Sequence, residues 1–200
     1  MPDLATYQRL VRLDPEKELV NVEELVPGVA PDVRYASSNN FMHAPLYSIA
    51  AVFLRRAPAQ ALRDIQADLA TRGVGLKIFD GYRPYRVTER MWEPIRNPDF
   101  VADPAKGSRH SRGAAVDLTL IDRATGRELP MPTPYDDFTS RARQDYNELP
   151  ADVIANRALL RDVMTRHGFE PLPSEWWHFD YRGWQKYELM DVALEDPRRR

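Results

Sequence analysis

The sequence predicts an α+β fold, a single domain with a central antiparallel sheet flanked by helices. Three observations point there. The chain has 200 residues, the ordinary size of one compact domain. Its helical and β-rich segments follow one another without the regular strand–helix–strand alternation of a parallel sheet. No repeat, low-complexity stretch or compositional break divides residues 1–200, and the 17 prolines are spread as punctuation.

The first clear element is a helix over residues 57–72. Pro58 suits its first turn, Ala61, Leu62, Ile65 and Leu69 share one face, and Gly73 can take the left-handed C-terminal position. Residues 74–79 read as a buried strand. Asp80-Gly81-Tyr82-Arg83-Pro84 then turns the chain, and Pro84 opens a second helix to about residue 91. Residues 114–121 alternate and are β-rich, which predicts another strand. Residues 122–150 are polar and without period, and a connection that long in a compact domain is usually functional or mobile. A strong helix follows over residues 152–167, with Val153, Ile154, Leu159, Leu160, Val163 and Met164 on its apolar face and Gly168 ending it. Residues 176–181 form a short aromatic strand.

Composition excludes several classes of function. A net charge of −2 with interleaved signs gives no basic field for nucleic acid. Arg198-Arg199-Arg200 is too short for a basic arm and reads as a solvated tail. The absence of cysteine removes disulfides, thiolate zinc sites and thiol nucleophiles together. The N-terminal residues lack the basic and apolar regions of a signal peptide, and no stretch approaches the ~20 apolar residues of a membrane span. The expectation is a cytoplasmic protein without membrane contact, or a periplasmic one if a leader has been removed. Oligomeric state leaves no signal in the sequence.

Chemistry concentrates in two places. In Ser108-Arg109-His110-Ser111-Arg112-Gly113-Ala114-Ala115-Val116-Asp117, His110 precedes a strand and Asp117 lies within its apolar run. A carboxylate there loses its hydration at a cost of several kcal/mol unless it is paired or bound to a metal. In Glu175-Trp176-Trp177-His178-Phe179, His178 is again inside an apolar strand. Glu175 and His178 face opposite ways on a regular strand, so a turn or bulge at its start is needed to bring both to one site. Imidazole and carboxylate suit zinc, and a catalytic zinc commonly takes three protein ligands plus water. His110, Asp117 and His178 are the expected ligands of one zinc ion. Glu175 is the unligated carboxylate expected to take a proton from the activated water. His43 and His167 read as surface or otherwise satisfied histidines, His167 in a last helical turn where positive charge is favoured.

The motif Ser-x-His-x-x-Gly-x-Ala-x-Asp followed by Glu-x-x-His resembles that of the D-alanyl-D-alanine metallopeptidases related to the Hedgehog fold. Asp80-Gly81-Tyr82-Arg83-Pro84, Val33-Arg34-Tyr35-Ala36 with Asn40-Phe41, Thr133-Pro134-Tyr135-Asp136 and Glu175-Trp176-Trp177-His178-Phe179 look like the VanX-type D-Ala-D-Ala dipeptidase branch. The resemblance spans about residues 20–190, leaving the ends peripheral. It implies a Hedgehog/DD-peptidase-like fold and zinc-dependent hydrolysis of the small free dipeptide D-Ala-D-Ala. It also implies roles: zinc on His110, Asp117 and His178; Glu175 as general base and then acid; Arg83 stabilising the oxyanion. Ser108 is expected at the substrate carboxylate, Asp136 at the ammonium and Tyr35 in the pocket lining. One departure is Met131-Pro132-Thr133, where related enzymes often carry Gly before the Thr-x-Phe/Tyr-Asp segment. The alternatives are a D,D- or L,D-carboxypeptidase acting on peptidoglycan peptides, and a non-catalytic zinc-binding module of the same fold. Retention of both Glu175 and Arg83 argues against the latter, since neither is needed merely to hold zinc.

Overall fold

A computed structural model describes residues 2–98 and 101–198. Arg199 and Arg200, with the side chain of Arg198, lie outside the described residues, and so does the reading of that run as a solvated tail. The chain opens with helix α1 (Leu4–Leu13), for which the sequence reading had no element. Asp3 caps it by accepting from Thr6 N at 2.9 Å, and the hydroxyl of the buried Tyr7 accepts from Leu19 N at 2.8 Å. Strand β1 (Leu19–Asn21), the short helix α2 (Val22–Leu25), β2 (Ala30–Pro31) and β3 (Phe53–Arg55) precede the first predicted helix, α3 (Arg56–Ala70). Then follow β4 (Val74–Asp80), α4 (Tyr85–Ile95), β5 (Ala115–Asp122), α5 (Ala151–Arg166), β6 (Phe169–Pro171) and β7 (His178–Tyr181).

The principal sheet has the order β2-β4-β5-β7-β6, and β1 pairs with β3 in a separate two-stranded ribbon. The pairs β4–β5, β5–β7 and β6–β7 are antiparallel, as the sequence predicted. The edge pair β2–β4 is parallel, at the margin of that antiparallel sheet. Parallel neighbours need a long crossover, and β3 with α3 supplies it between β2 and β4. Five strands of unequal length leave β5 central and buried almost throughout.

Helix α3 turns Leu62, Ile65 and Leu69 into the core and packs on β4. Helix α5 packs on β6 and β5 through Val153, Leu160, Val163 and Met164, while Ile154 and Leu159 are only partly covered. Arg157 takes a buried place on that helix instead. Its Nη1 donates to Arg143 O (3.0 Å) and Tyr146 O (2.6 Å), so part of the irregular connection is fastened to α5. Helix α4 runs four residues beyond the predicted end near residue 91. Pro94 falls in its last turn, where it cannot donate the i→i−4 hydrogen bond to Arg90 O, and Arg96 ends the helix in the left-handed region (φ 45°). No helix among the described residues is long and apolar enough to cross a membrane.

At the end of β4 the sheet meets the ribbon. Tyr82 N donates to Phe53 O at 2.7 Å, and a Cβ on Gly81 would stand 2.8 Å from both Phe53 O and Val52 Cγ1. Only glycine permits that approach, and the approach fixes where Arg83 emerges. Gly81→Ala is expected to destabilise the protein by about 1–3 kcal/mol, because a backbone oxygen cannot move aside as a flexible side chain can. Urea unfolding checks this, and an unchanged midpoint would show that the contact is slack.

Candidate metal centre and active site

The site is built across neighbouring strands at one end of the sheet. Asp117 on β5 stands opposite His178 on β7 and, on its other side, opposite Asp80 on β4. Directly opposed residues in an antiparallel pair share a face, so these side chains form a row. His110 joins them from a 3₁₀ turn (His110–Arg112) that Gly113 closes at φ 69°. Asp117 Oδ1 lies 2.9 Å from His178 Nδ1 and 3.4 Å from His110 Nε2, and the two imidazole nitrogens are 3.2 Å apart. All three groups are buried, and their ligand atoms lie within 4.8 Å of one another. The outward-facing ring nitrogens are anchored. His110 Nδ1 donates to Gly81 O at 2.8 Å, and His178 Nε2 donates to Asp180 Oδ1 at 3.0 Å. Each anchor orients its ring so that the inward nitrogen, once deprotonated, offers its lone pair to a metal, which is how a metal-binding histidine is usually held. Donor chemistry and spacing therefore fit a zinc-type ion.

Glu175 sits in the turn before β7, not in regular strand, so the i, i+3 pair converges. Its Oε2 is 4.0 Å from His178 Nδ1. Burial pushes the Glu175 carboxyl up to about 8, helped by Asp117 and Asp136 and opposed by His178 and Arg83. Burial works against the charge of His178, but Asp180 and Asp117 outweigh it, and its pKa stands well above the usual imidazole value. Burial likewise opposes ionisation of Asp117, yet His110 and His178 hold it below the usual carboxylate range. Arg83 follows the Asp80-Gly81 turn. Its Nε and Nη2 both donate to Asp80 Oδ2, at 2.9 and 2.7 Å, and Nη2 is 3.9 Å from Asp117 Oδ2.

Every predicted site residue lines one cavity of about 240 Å³. Asp136 reaches it from the irregular connection with φ 61°, its carboxylate accepting from Tyr35 OH at 3.0 Å and Phe41 N at 3.4 Å. Burial raises its pKa to about 7, aided by Asp117. Ser108 is buried beside the metal cluster, its Oγ accepting from His110 N at 3.2 Å. The cavity excludes the other two histidines: His43 is exposed, and His167 caps α5 with Nε2 2.8 Å from Asp68 Oδ2.

Sequence reasoning missed the residues behind these groups. Asp80 holds Arg83 and also accepts from Tyr47 OH at 2.7 Å. Asp180 holds His178 and meets Arg109 Nε at 3.5 Å. Tyr135 donates to Asp117 Oδ2 at 2.8 Å. Asp180 was readable from the two-residue strand period that puts it on the face of His178. Tyr135 left no comparable signal, because it meets Asp117 only through the tertiary course of residues 122–150.

The Peptidase_M15 family model, described as D-ala-D-ala dipeptidase, matches residues 15–193. The D-alanyl-D-alanine dipeptidase of Escherichia coli (strain K12) is 33% identical over 173 residues, covering 86% of this chain and 89% of that one. The D-alanyl-D-alanine dipeptidase of Enterococcus faecium is 33% identical over 183 residues, covering 80% of this chain and 90% of its own. Among solved structures, the LdcB LD-carboxypeptidase aligns over 74% of this chain and 69% of that chain, at 21% identity and a TM-score of 0.44. With the match extending over nearly the whole chain, this protein belongs to the Peptidase_M15 family of D-Ala-D-Ala dipeptidases and is a metallopeptidase.

Proposed function

We propose that this protein hydrolyses free D-alanyl-D-alanine to two D-alanines, using one zinc ion held by His110, Asp117 and His178. The observation that carries the reading is the convergence of those three ligand atoms within 4.8 Å, beside Glu175 and Arg83 in one cavity. When bound, zinc supplies Lewis acidity, lowering the pKa of a water and polarising a carbonyl. The other tasks fall to the chain. Glu175 takes a proton on its carboxylate and returns it to the leaving amine. A pKa near 8 keeps that carboxyl within reach of both states at neutral pH, and a neighbouring cation draws it down toward the working range. Such a group contributes on the order of 10²–10⁴ in rate.

Arg83 faces the scissile carbonyl in this reading. Asp80 holds Nε and Nη2, which fixes the plane of the guanidinium. A fixed guanidinium there stabilises a developing oxyanion by roughly 10²–10³ in rate. Asp136 pairs with the substrate ammonium, Ser108 contacts its carboxylate, and Tyr35 walls the pocket and orients Asp136. The cavity is below the ~300–1,000 Å³ of typical ligand pockets, which suits a dipeptide better than a polymer.

Three measurements test this. Glu175→Ala is expected to retain stoichiometric zinc and lose about 10²–10⁴ of kcat; metal loss in that variant would make Glu175 a ligand. Free D-Ala-D-Ala should be cleaved far better than its N-acylated form or L-Ala-L-Ala, since an acylated amine leaves Asp136 unpaired. Equal cleavage of the acylated peptide would favour a carboxypeptidase. Finally, the raised pKa of His178 means the metal-free protein carries a proton there at neutral pH, which zinc must displace. Zinc binding should therefore release a proton and weaken as pH falls. Calorimetry in two buffers of different ionisation heat measures it, and zero proton release would contradict the ligand set.

A further inference from the structure

Asp117 has two carboxylate oxygens in different surroundings. Oδ1 faces His178 Nδ1 at 2.9 Å and His110 Nε2 at 3.4 Å. Oδ2 points the other way and accepts the hydroxyl proton of Tyr135 at 2.8 Å. Arg83 Nη2, at 3.9 Å, is too far to replace that hydrogen bond. The Tyr135 ring is locked by its neighbours, with centroids 4.7 Å from Phe79 and 5.5 Å from Trp177. The hydroxyl is thus held in place by packing on both sides and aimed at one oxygen.

We propose that Tyr135 is a positioning residue for Asp117, tying up Oδ2 so that the carboxylate offers Oδ1 alone to the metal. This rests on the reading of His110, Asp117 and His178 as the metal ligands. The same hydroxyl lies 3.2 Å from Tyr35 OH, and Tyr35 donates to Asp136 at 3.0 Å. Two buried phenols therefore join the metal ligand to the carboxylate assigned to the substrate ammonium. Each phenol has one proton to give. Tyr135 gives its proton to Asp117 and Tyr35 gives its proton to Asp136, so each carboxylate has a dedicated donor. Removing one donor should disturb its own carboxylate and spare the other.

The test compares two conservative variants in the full chain. Tyr135→Phe keeps the ring and its packing and removes only the hydroxyl. Its zinc affinity, measured by competition with a chromophoric chelator, should fall about 10–100-fold, the usual effect of losing a hydrogen bond to a metal ligand. The visible absorption of its cobalt form should also change, because both Asp117 oxygens become available. Tyr35→Phe leaves the Asp117 donor intact. It should keep the parent's zinc affinity and cobalt spectrum while raising KM for the free dipeptide. The proposal is overturned if Tyr135→Phe binds zinc like the parent with the same cobalt spectrum, or if Tyr35→Phe loses zinc equally. A Tyr135→Phe chain that does not fold overturns it too, since the hydroxyl would then serve the fold and not the ligand. His178→Ala separates the underlying reading: parent-like zinc affinity there would refute the ligand set itself, whatever Tyr135 does.

Discussion

Asp117 stands opposite His178 on one side and opposite Asp80 on the other, and the whole site hangs on those two strand registers. A strand's side chains alternate between faces, so a slip of one residue along β5 would turn Asp117 away from both neighbours. The β5–β7 register is secured by three consecutive pairs, from Ala115↔Asp180 to Asp117↔His178. The β4–β5 register contains an irregularity that matters more. Ile78 pairs with Leu118, yet the next pair is Asp80 with Asp117, leaving Phe79 as the additional residue. Without that bulge Phe79 would oppose Asp117, and Asp80 would face away. With it, Asp80 joins the row and reaches Arg83, while Phe79 packs against Tyr135 under the Arg34 guanidinium. One extra residue thereby sets both the anchor of Arg83 and the wall behind Asp117.

The electrostatics of the row explain why it needs a guest. Asp80 and Arg83 compensate each other through two hydrogen bonds. Asp180 is shared between His178 and Arg109. Asp117, Glu175 and Asp136 then remain close together in a buried cavity with too few fixed cations among them. The result is visible in their ionisation. Glu175 and Asp136 are both pushed up by burial and further by Asp117, while the neighbouring imidazoles hold Asp117 below the usual carboxylate range against the effect of burial. A divalent cation between the imidazoles and a substrate ammonium near Asp136 would each relieve one part of that excess. On the proposed reading, metal and substrate would complete the same charge balance, neither being an addition to an already neutral site.

Much of this was legible from local sequence. The apolar run around Asp117, with small residues before it, marks a strand holding a carboxylate it has no local reason to hold. The offset of Glu175 and His178 correctly demanded a turn, because period two forbids convergence on a regular strand. What escaped was tertiary in origin. The parallel edge strand β2 has two residues, too few for a periodic signal. Helix α1 was overlooked although Asp3 caps it and Leu4, Tyr7 and Val11 recur at helical spacing, an apolar stripe of which only Tyr7 is fully buried. Arg157 broke the expected apolar face of α5 because it fastens backbone carbonyls of the irregular connection. The Phe79 bulge, on which Asp80 depends, leaves no mark in a run of β-formers.

That irregular connection separates two functions physically. The proposed metal ligands stand on or beside strands whose register is fixed by hydrogen-bonded ladders. Asp136 stands in residues 122–150, where the backbone has no ladder and the site is held by scattered anchors. Trp176 Nε1 donates to Thr133 Oγ1 at 2.9 Å, Gln144 N donates to Pro173 O at 3.0 Å, and Arg157 holds Arg143 and Tyr146. Two of these anchors lie in the same turn that carries Glu175, so the wall and the acid–base group are tied together. The left-handed backbone of Asp136 (φ 61°) is tolerated by aspartate better than by most residues, and it persists because the flanking anchors impose it. On the proposed reading, a change in that wall away from Tyr135 would alter what faces Asp136 while leaving the strands that carry His178 and Asp117 where they are; Tyr135 is the point at which the two are joined. Side chains held by a sheet and side chains held by a pinned loop can therefore vary separately, with Tyr135 as the contact that couples them.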